Sequence, residues 1–189
     1  DRDATEGVVL AETTADHKVG VLLSLNCETD FVAKNEDFVK LAQSFLEIAK
    51  AEQPANREEL LALNANGMSI ADKLTEQTGV IGEKLEISAY EKIEAPFVSA
   101  YIHSNNKLAS LVGLDAEAAE AGKDAAMQVA AMNPLGLNRD DVPQDVVDRE
   151  LEVGKDLARQ EGKPEAMLDK IAQGLSLIHI SEPTRPLYI

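Results

Sequence analysis

The 189-residue chain has one cysteine and no tryptophan, and aromatic residues occupy only 4% of its positions. A single cysteine excludes an internal disulfide, and the lack of a disulfide is typical of proteins from a reducing compartment. Because no run of about 18 apolar residues occurs, no segment is predicted to span a membrane. We therefore expect a cytoplasmic protein. Its core must be built mainly from Leu, Ile, Val and Ala, since apolar residues make up 44% of the chain but large rings are scarce.

Positive charge is also in short supply. The chain carries 18 Lys and Arg residues against 34 Asp and Glu residues, a formal net charge of −16. The basic residues are scattered singly, and the electrostatic field of such a chain repels a phosphate backbone. The composition therefore argues against nucleic-acid binding and indicates a solvated acidic surface.

Signals of catalysis are scarce as well. Residues 79–84 lack the spacing and the Ser or Thr of a phosphate-binding loop, and no G-x-S-x-G elbow occurs. Cys27 and His103 are candidates for a nucleophile pair, but nothing in the sequence orients either side chain. The His and Cys residues are isolated, so no cluster of metal ligands is predicted. We therefore predict that the chain is not an enzyme, and we predict neither a cofactor nor a metal.

The spacing of apolar residues predicts a hairpin followed by a helix. Two strand-like runs, Val8–Leu10 and Val19–Leu25, flank a turn over residues 13–17, which is typical of a β-hairpin. Asn35 is well placed to cap a helix, with acidic residues in the first turn. Apolar residues then recur at i, i+3, i+4 and i+7 along one face until Pro54 ends the helix.

Further short elements are predicted before the middle of the chain. A helix is expected over residues 57–63, and a second helix is expected to open at the capping-box spacing of Ser69 and to close at Gly79. Residues 84–93 then read as a strand. Its alternation places three apolar side chains on one buried face: Leu85, Ile87 and Ala89.

The second half of the chain repeats the first. Residues 98–114 align with residues 9–25 at a constant offset of 89 without a gap. Identical residues fall at Val9/Val98, Ala11/Ala100, Lys18/Lys107, Leu22/Leu111 and Leu25/Leu114. A helix follows each hairpin, predicted in the second copy over Ala125–Met132. The alignment indicates a duplicated α+β unit. The alternative is a chance similarity of two hairpins.

A pair of helices is predicted after the repeat. The first begins near Val142 and carries apolar or small residues near one face: Val147, Leu151, Gly154, Leu157 and Ala158. A break at residues 162–164 precedes renewed helical spacing over residues 165–173. This pattern favours a helical hairpin, and two separate core helices are the alternative. Helical period and acidity both stop near residue 175. Because residues 176–189 resemble translated adapter sequence, residues 175–189 are expected to be a foreign tail.

A charge and a large ring stand side by side between the second strand and the helix that follows it, in the segment Thr29–Val32. Phe31 in such a connection either plugs the core or projects as an anchor for a partner. The residues alone leave both readings open.

Several blocks of sequence resemble one family. Asn26–Lys34, NCETDFVAK, is similar to the signature of the elongation factor Ts family, N-C-[EQ]-T-D-F-V-A, at the end of its first core hairpin. Further blocks fit the same family in sequence order: residues 4–8, 81–87, 101–103 and 127–134. Residues 162–164 are similar to the turn of the family's coiled-coil hairpin. The resemblance spans residues 1 to about 174.

The resemblance implies an α+β fold with a duplicated core. Two related subdomains, residues 1–95 and 96–140, are each expected to hold an antiparallel sheet with helices. Residues 141–174 are expected to form a protruding helical, coiled-coil hairpin that is truncated. The family also has an N-terminal three-helix domain, so the chain is expected to be a core fragment that begins after that domain.

The resemblance also implies a function. The family consists of non-catalytic translation elongation factors that bind elongation factor Tu with GDP and promote GDP release by disturbing its Mg²⁺ and phosphate site. Four residues match the segment that intrudes beside that site: Thr29, Asp30, Phe31 and Val32. Tyr101 and His103 match a second contact, on the partner's third domain, and residues 147–171 match the hairpin that touches its G domain.

Elongation factor Tu is therefore the expected partner, in a simple or a higher-order complex, and neither nucleic acid nor a membrane is expected. An unrelated acidic scaffold is the alternative function. The rate of GDP release separates the two, since a scaffold leaves that rate unchanged.

Overall fold

The computed structural model describes residues 3–133, 142–164 and 167–172. Antiparallel strands occur in consecutive runs that are separated by helices, which confirms the α+β class. The elements are β1 (Glu6–Thr13), β2 (Val19–Cys27), α1 (Asp30–Ala33), α2 (Glu36–Glu52), α3 (Arg57–Ala62), β3 (Asn64–Ala65), β4 (Met68–Ser69), α4 (Ile70–Ile81), β5 (Glu86–Glu94), β6 (Phe97–Ile102), β7 (Ala109–Leu114), α5 (Ala119–Met132) and α6 (Gln144–Gln160). The chain forms two compact units, residues 1–130 and 131–189. The finer division at residues 95 and 140 stays a prediction.

The core of the first unit lies between a sheet and helix α2. Strands β1, β2 and β5 form an antiparallel sheet in the order β1-β2-β5. Helix α2 begins as predicted, because the Asn35 side chain accepts a hydrogen bond from the backbone N–H of Asp37 at 2.8 Å. It ends at Glu52, and the C-cap residue Gln53, immediately before Pro54, adopts a left-handed conformation. Its buried face meets the sheet in one cluster, to which it contributes Phe38, Ala42, Phe45, Leu46 and Ala49.

Helix α4 ends three residues later than predicted. Its start is the expected cap, with the Ser69 hydroxyl accepting from Asp72 N at 3.0 Å. Gly79 lies inside the helix, and the helix closes at Gly82, which has φ +81° and donates its N–H to Thr78 O. A glycine inside a helix is tolerated at modest cost, whereas the left-handed C-cap strongly favours glycine. The prediction that Gly79 closes the helix is therefore wrong.

Strand β5 contains a bulge that shifts its buried face. Ser24 pairs with Ala89, but the next residue, Leu25, pairs with Ile87, so Ser88 is left over between the two pairs. The alternation therefore changes phase, and Tyr90 is buried instead of Ala89. The predicted common face of Leu85, Ile87 and Ala89 is correct for the first two residues and wrong for the third, because one extra residue reverses the side chains that follow.

The duplicated hairpin is confirmed in register as well as in topology. Val9 pairs with Ser24 in the first hairpin, and Val98 pairs with Gly113 in the second, so both partners move by 89 positions. The turns match too. Thr14 N donates to Val19 O at 2.9 Å, and His103 N donates to Leu108 O at 2.8 Å. His17 and Asn106, also 89 positions apart, are both left-handed, with φ of 56° and 53°.

The two hairpins contact each other through a reciprocal pair of hydrogen bonds. Val9 N donates to Asn106 O at 2.7 Å, and Val98 N donates to His17 O at 2.6 Å. Each bond is the image of the other at the offset of the repeat. The hairpins are therefore related by an approximate twofold axis.

The helix of the second copy begins six residues before its predicted start at Ala125. Gly122 lies in this early part of α5, and a Cβ built there would stand 2.4 Å from Ser99 Oγ. The glycine weakens the local helical preference, but it lets α5 approach the β6–β7 hairpin closely. Tertiary packing thus forms a helical turn that the sequence pattern did not show.

The described part of the second unit has the helical hairpin that the pattern favours. Helix α6 is followed by a turn at Gly162, with φ 72°, and residues 168–172 are helical again. A Cβ on Gly154 would stand 3.0 Å from the Cα of Ala172, so the two helices pack closely. Of the residues predicted near one face, Val147, Gly154 and Ala158 are buried, whereas Leu157 is 44% exposed. The predicted foreign tail, residues 175–189, lies outside the described residues.

Candidate functional site

The segment Thr29–Val32 forms the start of the one-turn helix α1, between the end of β2 and the start of α2. Thr29 is its N-cap, and its hydroxyl accepts from Val32 N at 3.4 Å. A helix of four residues has too few hydrogen bonds to be stable alone. Its conformation therefore depends on the contacts that surrounding residues make with it.

Phe31 projects from this turn into solvent, with 83% of its surface exposed. Its neighbours face the other way: Ala33 is buried in the core cluster and Val32 packs against that cluster. Val32 and Ala33 therefore attach the turn to the core, while Phe31 on the same turn extends into solvent. The reading of Phe31 as a core plug is wrong, and the side chain has the placement that an anchor for a partner requires.

Glu83 holds the turn from a distant part of the chain. Its Oε2 accepts hydrogen bonds from Glu28 N at 3.1 Å and Thr29 N at 3.0 Å, and its Oε1 accepts from the Thr29 hydroxyl at 2.6 Å. In return, Lys84 N donates to Glu28 Oε1 at 2.7 Å. The sequence comparison placed Glu83 in a block that resembles the family but gave it no role.

Cys27 supports the same turn from the core. Its side chain is fully buried, and the thiol donates to Thr29 O at 3.2 Å. Burial, reinforced by the charge of Glu83, raises the pKa of the Cys27 thiol to about 11. Since the thiolate is the nucleophilic form, a protonated, buried thiol does not suit catalysis. Each member of the predicted pair has a different partner: the Cys27 thiol bonds to Thr29 O, and the His103 ring contacts Tyr101.

Asp30 is half-exposed and paired with Lys34 one turn later in the chain. The two side chains are 2.6 Å apart. The hydrogen bond and charge of Lys34 lower the pKa of Asp30 below its usual value, and Asp30 in turn raises the pKa of Lys34. Asp30 is therefore a carboxylate at neutral pH, with its charge partly balanced.

Tyr101 and His103 lie at the end of β6 and in the turn that follows. The Tyr101 hydroxyl and His103 Nδ1 are 3.0 Å apart, and the His103 side chain is exposed. Lys107, in the same turn, pairs with Glu6 at 2.6 Å. The charge of Lys107 also contributes, as a smaller cause, to the lowered pKa of Asp30. The Glu6–Lys107 pair links the turn after β6 to the start of β1, where Glu6 pairs with Cys27 at the end of β2.

The third predicted contact, residues 147–171, lies in the second unit. Val147, Gly154 and Ala158 form the buried side of α6. Among the described residues of this region, three large apolar side chains are exposed: Val153, Leu157 and Met167. Lys155 on α6 pairs with Asp169 at 3.1 Å, which joins the two arms at the surface.

In the described part of the chain, two clefts of about 510 and 300 Å³ have linings that include none of the predicted site residues. Among residues 3–133, 142–164 and 167–172, no group of three or more His, Cys, Asp or Glu side chains could hold a metal ion. In the same residues, every helix is too short or too polar to cross a bilayer.

Comparison with known proteins gives one consistent result. Residues 28–182 match the family model for elongation factor TS. The chain is 55% identical to elongation factor Ts of Christiangramia forsetii and 53% identical to that of Flavobacterium psychrophilum, each over 92% of this chain and 64% of the relative. Elongation factor Ts of Porphyromonas gingivalis is 46% identical over 97% of this chain and 67% of the relative.

The chain thus spans about 64% of the length of the first two relatives. The family match covers most of this chain and includes the segment that carries Phe31. The chain belongs to the elongation factor Ts family of translation elongation factors.

Proposed function

We propose that the chain is a guanine-nucleotide exchange factor that binds GDP-loaded elongation factor Tu and accelerates the release of GDP. The observation that carries this proposal is the exposure of Phe31, 83% of its surface, on a turn that Glu83 and the core hold in place. A large exposed ring on a supported turn is an arrangement suited to a protein contact. The role is one of binding, and no chemical step is assigned to the chain.

The mechanism follows from linkage between two binding equilibria. A GTPase with nanomolar affinity holds GDP by about 12 kcal/mol, and Mg²⁺ bridging to the phosphates supplies part of that energy. A factor that favours a partner state with broken metal and phosphate contacts must bind the empty partner more tightly than the GDP-loaded one. Phe31 suits this task, because a rigid ring inserted between helices displaces them with little loss of side-chain entropy.

Asp30 is assigned a polar role beside the ring. Mg²⁺ demands near-ideal octahedral coordination and keeps much of its water, so one carboxylate from outside would be a poor ligand. Asp30 is also engaged by Lys34 at 2.6 Å. We therefore assign Asp30 to polar contact with the displaced backbone of the partner. Its truncation to alanine is expected to slow GDP release less than truncation of Phe31.

His103 is assigned a second, separate contact with the same partner. The Tyr101 hydroxyl restricts the orientation of the exposed imidazole through their 3.0 Å contact. Two contacts on one rigid body raise the overall affinity, since the second forms without a new loss of translational freedom. On this proposal His103→Ala weakens binding of the partner.

Stopped-flow release of a fluorescent GDP analogue from elongation factor Tu tests the proposal. Phe31→Ala is expected to slow release by about tenfold or more, as for a central anchor residue. Met127→Ala is the control, because it truncates a partly exposed apolar side chain on helix α5, outside the proposed contacts. A folded Phe31→Ala variant that releases GDP at the unmodified rate would refute the proposal.

A further inference from the structure

The turn that presents Phe31 does not hold its own shape. Helix α1 has four residues, too few for an independently stable helix. Its capping bond from Val32 N to Thr29 Oγ1 is 3.4 Å, which is long for a hydrogen bond. Val32 and Ala33 attach the turn to the core. They do not fix Glu28 and Thr29, which connect β2 to the turn and depend on other contacts.

Glu83 supplies those contacts with both of its carboxylate oxygens. Two successive backbone N–H groups share Oε2, and the Thr29 hydroxyl binds Oε1. Hydrogen bonds to a charged acceptor are stronger than neutral ones. The return bond from Lys84 N to Glu28 ties the two segments a second time. Glu28 and Thr29, which precede α1, are therefore bonded directly to the two residues that follow the C-cap of helix α4.

We propose that Glu83 is a positioning residue, which acts through Thr29 to hold the turn so that Phe31 is oriented for the partner before the two proteins meet. The inference rests on the proposed function. If only a fraction of the factor has the binding-competent conformation, its apparent Kd equals the intrinsic Kd divided by that fraction. Pre-organisation of the turn by Glu83 avoids this loss and the entropy cost of ordering the turn on binding.

Three variants test the proposal in the GDP-release assay, with the concentration of the factor varied. Glu83→Ala is expected to raise the concentration for half-maximal release by about tenfold, with the maximal rate changed less than about twofold. Glu83→Gln keeps an oxygen that accepts from the backbone and should recover most of the loss. Glu59→Ala is the control. It also removes a carboxylate that accepts a backbone N–H, from Ala55 at 2.8 Å, and both parameters should stay unchanged.

Hydrogen exchange provides a readout that does not depend on the partner. In Glu83→Ala the amides of Glu28 and Thr29 should exchange faster, while those of Leu23 and Leu25 in the sheet keep their protection. Unchanged exchange at Glu28 and Thr29 overturns the positioning role. So does a loss of protection across the whole sheet with a lowered denaturation midpoint, because that result shows a general structural role.

A double variant separates this inference from the function on which it rests. In a Phe31→Ala background, Glu83→Ala should add little to the loss, because a turn without its ring gains nothing from correct orientation. If Phe31→Ala slows release but Glu83→Ala does not, the positioning role is wrong and the proposed function stands. If neither slows release, both are wrong.

Discussion

Replacement of Phe31 by alanine is expected to leave the stability of the fold nearly unchanged. The ring is 83% exposed, whereas Phe45, on helix α2, is 1% exposed. The two residues have the same side chain in opposite environments. Comparing Phe31→Ala with Phe45→Ala therefore isolates the effect of burial from that of the chemical change.

The expected magnitudes follow from the buried areas. A phenylalanine side chain buries about 150–250 Å² when fully enclosed, so the small covered part of Phe31 corresponds to roughly 35 Å². At about 25 cal/mol per Å², its loss costs at most about 1 kcal/mol. Alanine is also the better helix former, by about 0.5 kcal/mol. We therefore expect Phe31→Ala to cost less than about 1 kcal/mol, and Phe45→Ala to cost about 3–5 kcal/mol.

Urea titration followed by circular dichroism measures both free energies of unfolding under one set of conditions. The GDP-release assay on the same Phe31→Ala preparation then shows whether a folded protein has lost its activity. A loss of about 3 kcal/mol or more for Phe31→Ala would refute the exposed placement of the ring. It would also remove the main support for the proposed function.

Two further predictions concern groups inside the first unit. Burial raises the pKa of Cys27 to about 11 and that of Tyr90 to about 12, so the folded state holds both protons more tightly than the unfolded state. The contribution of these two groups to the free energy of unfolding is therefore fully present at neutral pH and declines from about pH 9 upward. Ionisation of Cys27 alone lowers that free energy by on the order of 2 kcal/mol at pH 11. Urea titrations between pH 8 and 11 should show a flatter decline for Cys27→Ala. Gly79→Ala should stabilise helix α4 by up to about 1 kcal/mol, and Gly82→Ala should destabilise it by about 1 kcal/mol. Melting temperatures that move in the same direction for the two glycine variants would contradict the placement of the C-cap at Gly82.

The elements that the sequence predicted well depend on local or repeated patterns. The cap at Asn35 and the spacing that follows it specify helix α2 within 17 residues. The gap-free alignment at an offset of 89 likewise predicted the second hairpin, since register follows the apolar pattern and the turn. The signal for α2 lies in neighbouring residues, and the signal for the second hairpin occurs in two copies of the same pattern.

The features that were missed depend on residues far apart in the chain. The bulge at Ser88 exists in relation to β2, so the alternation of β5 alone does not show it. The contact of Glu83 with Thr29 joins positions 54 residues apart. Whether Phe31 plugs or projects is decided by Val32 and Ala33, which take the core side of the same turn. Each outcome required the tertiary arrangement.

The internal repeat distinguishes residues that maintain the fold from residues that serve the proposed contacts. Positions such as Val9 and Val98 are identical and keep the shared register. The contact residues are not shared: Thr14 occupies the place of His103 in the first copy, and Glu120 occupies the place of Phe31 in the second.

The helical segments that follow the two hairpins differ in whether they are interrupted after the first turn. In the first copy Lys34 and Asn35 separate α1 from α2, whereas the counterpart of α1 is the first turn of the continuous helix α5. The interruption is what leaves Phe31 on a turn of its own. If the proposed function holds, one hairpin-plus-helix unit provides the scaffold twice, and each copy adds one contact. Because the two hairpins are joined by reciprocal hydrogen bonds, the contacts are held on one body, which is the condition under which two modest contacts reinforce each other.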